Sequence, residues 1–168
     1  MISRELFSLQ FLMPTLRRAT PADAALITAQ RHQMFADNDL ATDSHLAAMD
    51  ANFNPWLRRH LAAGTYIGFL LEDEATKEVL ASAGIFLQDF PPHWLDIEPT
   101  RAYLLNFYTT PEARGRGYAN LLLRASIDEC RKRNILVVTL HASTFGKPIY
   151  EKFGFKQSNE MMYRFDQA

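Results

Sequence analysis

The sequence predicts an α/β chain of the mixed α+β kind, a single domain in which helices flank one sheet. Three observations carry that expectation. The chain has 168 residues, 48% of them hydrophobic, enough for one sizeable core and too few for two comfortable domains. Its segments alternate in type, reading β, two helical segments, three strands, helix, strand, helix, strand. The most regular of the helical patterns is apolar on one side only, as in a helix lying on a sheet.

The first strand is read in TLRRAT, ending at Thr20. Thr20, Pro21 and Asp23 then supply an N-cap, a favoured first helical residue and an acidic first turn, opening a helix to about Asp37 with Ile27 and Met34 inward. A second helical region starts near Ser44, is punctuated by Asn54 and Pro55, and closes at Gly64. TYIGFLLEDE and KEVLASAGIFLQ form a hairpin around a turn near Asp73 to Lys77. DFPPHWLDIEPT is a proline-broken loop, and RAYLLNFYTT reads as the most buried strand. After a glycine turn, Ala119, Leu122, Leu123, Ser126, Ile127 and Cys130 share one helix face, with Asn120, Arg124, Asp128 and Arg131 opposite. ILVVTLHA reads as a continuous strand covered on both faces, GKPIYEKFGF as a short helix with a glycine stop, and KQSNEMMYRF as a final strand.

Composition removes several functions. A formal net charge of -1 argues against a general polyanion binder, so no nucleic-acid partner is expected. No apolar run approaches the roughly eighteen residues of a membrane span. Residues 1–12 have ragged apolar character that makes no convincing signal peptide, and they read as a flexible N-terminal arm before a single domain over residues 13–168. Cys130 is the only cysteine, which excludes an intramolecular disulfide, suits a reducing, cytoplasmic setting, and reads as an inert packing thiol. The five histidines show no paired metal spacing, so no metal site is expected.

The chemistry concentrates in TTPEARGRGYANLLLRA, Thr109 to Ala125. Two glycines ahead of a helix let main-chain N–H groups crowd around an anion. A Walker loop is excluded, because the only Gly-Lys pair, Gly146 and Lys147, is followed by Pro148 and has His141 where the earlier glycine belongs. A dinucleotide fingerprint is weak, since Asn120 occupies its third small-residue position. What remains is R-x-x-G-x-A, formed by Arg114, Gly117 and Ala119 between a buried strand and an amphipathic helix.

With that pattern the sequence resembles the GCN5-related N-acetyltransferase (GNAT) family. LLNFYTTPEARGRGYA matches the family's central strand and pyrophosphate loop, and LHASTFGKPIYEKFGF its next strand and tyrosine-bearing helix. The resemblance implies a central, mixed, mostly antiparallel twisted sheet flanked by helices, with a V-shaped splay between its two central strands. It implies acetyl-CoA as co-substrate, and transfer of the acetyl group to a primary amine of a small molecule or peptide, directly, in a ternary complex. By the same resemblance the cofactor is held by Phe107, Tyr108 and Thr109 on the strand, by Arg114, Gly115, Arg116, Gly117, Tyr118 and Ala119 in the loop, and by Ser143. The amide near Phe107 would be an oxyanion donor, and Tyr150 the general acid facing the sulfur. Asn106 would sit beside the acceptor, holding a water or the amine.

Each residue also has a plainer reading. The Asn106 amide is equally satisfied by neighbouring backbone, Ser143 by a strand-end turn, and Tyr150 by packing on the sheet. Phe35, Phe53, Trp56 and Trp94 are either acceptor-pocket walls or ordinary core. For the general base, His93, Asp96, Glu98 and His141 are candidates without a diagnostic spacing. A homodimer is common in families resembling this one. The rival reading is a non-catalytic acyl-CoA sensor or protein-interaction module on the same fold.

Overall fold

The computed structural model describes residues 14–165; the expected arm at residues 1–12 lies outside them. Strand β1 (Thr15–Arg18) leads through a 3-10 turn (Pro21–Asp23) into α1 (Ala24–Asp37). The turn is held by the Asp23 carboxylate, which accepts from the Thr20 N–H at 2.7 Å and its hydroxyl at 3.0 Å. Helix α2 (Asp43–Ala63) follows, then β2 (Tyr66–Glu72), β3 (Val79–Asp89) and β4 (Thr100–Thr109). A second 3-10 turn (Pro111–Ala113) precedes α3 (Tyr118–Lys132), β5 (Val138–Leu140) and α4 (Lys147–Phe153).

The five strands lie in chain order in one sheet. The first three pairings are antiparallel, and β4 pairs with β5 in parallel. The period of two along β2 divides the core. Ile67, Phe69 and Leu71 join Leu122, Leu123 and Cys130 of α3 on one face, while Tyr66 and Leu70 join Ile27 of α1 and Leu57 of α2 on the other. The result is a mixed, mostly antiparallel open sheet between two helical layers, as the resemblance implies.

Four local expectations are corrected. Asn54 and Pro55 do not divide the second helical region: α2 runs unbroken through Pro55. The carbonyl that loses its partner to the proline belongs to Ala51, and both residues lie on the exposed side, where water replaces the bond. The most buried strand is β2, not β4: β2 is buried from Tyr66 to Leu71 because its two faces enter both core layers, whereas in β4 only Ala102, Leu104 and Asn106 are buried. The apolar run ILVVTLHA pairs over only Val138–Leu140, with Leu136 71% exposed, because β4 turns away beyond Leu104 and no further strand among the described residues covers the edge. Residues 156–165 form no strand: Met161, Met162, Tyr163 and Phe165 are all exposed, so no alternating face is buried.

Candidate active site

The decisive backbone feature is a bulge in β4. Asn106 has φ +57°, and the β3–β4 register slips between Ser82 and Gly84. Two residues of β4 therefore oppose one of β3, and side-chain parity reverses. Before the bulge, Ala102 and Leu104 face the α3 layer; after it, Phe107 does. Asn106, which unbroken alternation would send toward α3, instead reaches Tyr66 and Arg31 on the α1–α2 side. Pairing with β5 ends at Leu104–Leu140, so the two strands part where the bulge lies. This is the expected splay, placed between β4 and the edge strand of the described sheet.

Beyond β4 the chain makes the glycine turn. Gly115 and Gly117 have φ +77° and +81°, and Gly117 caps α3 in the left-handed conformation. The main-chain N–H groups of Gly115, Gly117, Tyr118 and Ala119 donate to no acceptor among the described residues. Apart from the adjoining chain, no atom of the described residues lies within 4 Å of where a Cβ on either glycine would sit. These donors and the helix dipole suit a diphosphate. Side chains act mainly as braces. The Arg114 guanidinium donates to the Thr109 carbonyl at 3.2 Å and pairs with Asp37 at the end of α1. Arg116 donates to the Glu112 carbonyl at 3.0 Å, and the Tyr118 ring is buried in the core.

Tyr150 reaches the same region from α4. Its ring stands edge-on to Phe107, with centroids 5.9 Å apart. A Cβ on Gly146 would approach the Tyr150 ring to 3.1 Å and the Ser143 hydroxyl to 3.3 Å, so the glycine makes room for both. Ser143 accepts from the Gly146 N–H at 3.1 Å, the turn role open to it from the sequence. Burial first, and the neighbouring Tyr103 second, push the Tyr150 hydroxyl up to about 12, so it is protonated at neutral pH.

An acetyltransferase (GNAT) domain profile matches residues 95–165. A GCN5-related N-acetyltransferase from Ralstonia eutropha JMP134 is 31% identical, with 90% of this chain and 97% of that one covered and a TM-score of 0.85. The chain belongs to the GCN5-related N-acetyltransferase family. A predicted acetyltransferase from Clostridium acetobutylicum, solved with acetyl-CoA, is 27% identical over 91% of this chain and 96% of that one, with a TM-score of 0.83. Glucosamine-6-phosphate N-acetyltransferase from Arabidopsis thaliana shares the fold at 16% identity, with 91% and 98% covered and a TM-score of 0.67. A search of curated proteins returns no match.

Within this acetyltransferase the candidate bases fall in two places. His93 and Asp96 bridge each other through main chain in the loop before β4, with Asp96 buried and its Oδ1 accepting from the Glu98 N–H at 3.1 Å. His141, just past β5, hydrogen-bonds the Tyr103 hydroxyl through Nδ1 at 2.6 Å, beside the splay. Of the aromatics, Phe53 and Trp56 wall a cavity of about 750 Å³ bounded also by Leu40, His45, Met49 and Arg164, while Trp94 is 83% exposed. No helix among the described residues is long and apolar enough to cross a membrane.

The feature that sequence reasoning missed is the chain Tyr66–Asn106–Arg31. Asn106 is 3% exposed; its Nδ2 donates to the Tyr66 hydroxyl at 2.9 Å, and its Oδ1 accepts from Arg31 Nη1 at 2.6 Å. Burial raises the Tyr66 hydroxyl to about 12, and a Cβ on Gly84 would fall 2.0 Å from its oxygen. Nothing in the one-dimensional pattern sets Arg31 apart from the other arginines of the chain.

Proposed function

We propose that this acetyltransferase uses acetyl-CoA to acetylate the primary amine of a small molecule or peptide, by direct transfer in a ternary complex in a cytoplasmic setting. One observation carries the reading: unengaged N–H donors of Gly115, Gly117, Tyr118 and Ala119 stand at the start of α3, one turn of chain from a bulged, splayed β4. The relative from C. acetobutylicum, solved with acetyl-CoA, supports the choice of co-substrate.

When bound, acetyl-CoA supplies an activated acetyl thioester. The loop amides hold its diphosphate, with Arg114 and Arg116 adding outer charge, and the edge of Phe107 to Thr109 that β5 leaves unpaired offers main chain to the pantetheine amides. The main chain beside Phe107 stabilises negative charge developing on the acetyl oxygen. Tyr150 holds the proton that the departing sulfur needs; Phe107 and Phe155 pack edge-on against its ring, and the missing side chain of Gly146 leaves it room. Asn106 acts by positioning, since both ends of its amide are engaged by protein side chains. Direct transfer is favoured over an acyl-enzyme because burial first, and the charge of Glu129 second, push the Cys130 thiol up to about 11.

Calorimetric titration with CoA, joined to thiol release from acetyl-CoA across an amine panel, tests this reading. Amine-dependent release that drops in Tyr150→Phe is expected. Cofactor binding with no release for any amine would mark an acyl-CoA sensor instead, and no CoA association at all would remove both readings.

A further inference from the structure

Arg31 is a half-buried cation without an anion. Among the described residues no carboxylate lies within ion-pair reach of it, whereas Arg17, Arg18, Arg114, Arg131 and Arg133 each have one. Its guanidinium stacks on the rings of Phe35 and Phe53, 4.8 and 4.7 Å from their centroids. Nη1 is used by Asn106, and among the described residues the buried Nε has no partner and Nη2 makes no hydrogen bond. Burial is the main influence on its ionisation, disfavouring the charge; the groups that oppose this are Tyr66 and Tyr103, not an acid. A charged group so placed is costly unless something completes it.

Position says what would complete it. Through Asn106, Arg31 touches the β4 bulge; through Phe53, it backs a wall of the 750 Å³ cavity. It approaches the splay from the α1–α2 face, whereas Tyr150 packs against Phe107 on the α3–α4 face. The two sides of the splay are therefore chemically unlike: a phenolic acid on one, an uncompensated guanidinium on the other. Arg31 thus stands between Phe53, on the cavity wall, and Asn106, at the bulge.

We propose that Arg31 recognises a carboxylate on the acceptor, so that the preferred substrates are amines carrying a carboxylate, as free amino acids and related amino-carboxylates do. Nη2, which has no acceptor among the described residues and, unlike Nε, is not buried, offers a charge-assisted donor to a carboxylate oxygen. A phosphomonoester fits less well, because it brings close to two negative charges to a site with one enclosed cation. The proposal deepens the reading given under Proposed function and rests on it.

The test compares matched pairs, an amino-carboxylate and its primary amide, in wild-type protein and in Arg31→Met and Arg31→Lys. Wild type should favour the carboxylate in kcat/KM by about 50-fold or more. Arg31→Met should abolish that ratio through KM, and Arg31→Lys should restore part of it, both with CoA affinity near that of wild type. Equal kcat/KM for the two members of wild-type pairs, or preference for a phosphomonoester analogue, would overturn the assignment even if the variants fail to fold. Calorimetry of the same amino-carboxylates with CoA-loaded protein separates the two readings. Carboxylate-dependent binding that Arg31→Met loses supports the recognition site even where no acetyl transfer occurs, and absence of both binding and transfer for every carboxylate overturns it.

Discussion

Tyr150 states the residue-scale chemistry most sharply. An acid works in its protonated form, and a hydroxyl pushed up to about 12 stays protonated through the whole practical alkaline range. Replacing it by Phe should lower kcat by roughly 100-fold, within the usual contribution of a positioned acid, and leave CoA affinity nearly unchanged. The wild-type kcat profile should show no alkaline decline below about pH 10 that Tyr150→Phe removes; a decline near pH 8 that the variant abolishes would assign the acid to a differently tuned Tyr150. Gly117 makes a different argument. At φ +81° with open space around it, alanine meets no protein atom, so its cost of about 1–2 kcal/mol is backbone strain. Gly117→Ala should therefore melt modestly earlier but bind CoA about tenfold more weakly or worse, since the methyl stands where the diphosphate approaches.

At the scale of elements, the β4 bulge does the organising. One inserted residue ends pairing with β5, reverses the facing of everything after Leu105, and so turns Asn106 toward α1 and Phe107 toward α4. The bulge is braced from β2 and β3: Tyr66 crosses Gly84, and its hydroxyl accepts from the Asn106 amide. Gly84→Ala would place a methyl 2.0 Å from the Tyr66 oxygen, and Tyr66 is fully enclosed and cannot swing aside. The expected result is a loss of about 2–3 kcal/mol by overpacking, read in denaturant unfolding, together with a raised acceptor KM as Asn106 and Arg31 lose register. A fully stable variant with unchanged kinetics would show that the bulge needs no brace.

Across the whole molecule, one ion cluster ties the chain's beginning to its middle. Glu129, on the buried face of α3, pairs with Arg18 of β1 and with Arg133 at 2.7 Å. Burial alone would raise its carboxyl, but the hydrogen bonds from Arg133 and Arg18 outweigh that and hold it below the usual carboxylate range. Asp23 is lowered too, chiefly by its hydrogen bond from Arg17. A depressed folded-state pKa contributes stability that is complete above the unfolded value, near 4, and is lost as pH falls through the folded value. Thermal stability should thus hold level from neutral pH to about 5 and fall steeply below 4. Glu129→Gln should cost about 1 kcal/mol at pH 7 and flatten the acid fall, seen in melts across pH; an unchanged acid profile would remove Glu129 from this role.

Most of what could be read in advance was local. Thr20, Pro21 and Asp23 open a helix by their own side-chain and ring geometry, the Asp73–Lys77 turn closes a hairpin, and Gly115 and Gly117 announce a loop that must enter the left-handed region, because each depends on a few neighbouring residues. The one-sided spacing of Leu122, Leu123, Ser126 and Cys130 likewise sufficed to lay α3 on a sheet. Tertiary contacts decided the rest. Pro55 was absorbed because its lost bond faces water, and ILVVTLHA kept only three paired residues because β4 bulges away from it. Arg31, 75 positions from Asn106, became part of the site only when a single bulge reversed the facing of β4. A period of two carries no notice of where it will be interrupted, and an arginine's partner, or want of one, exists only after distant strands have been brought together.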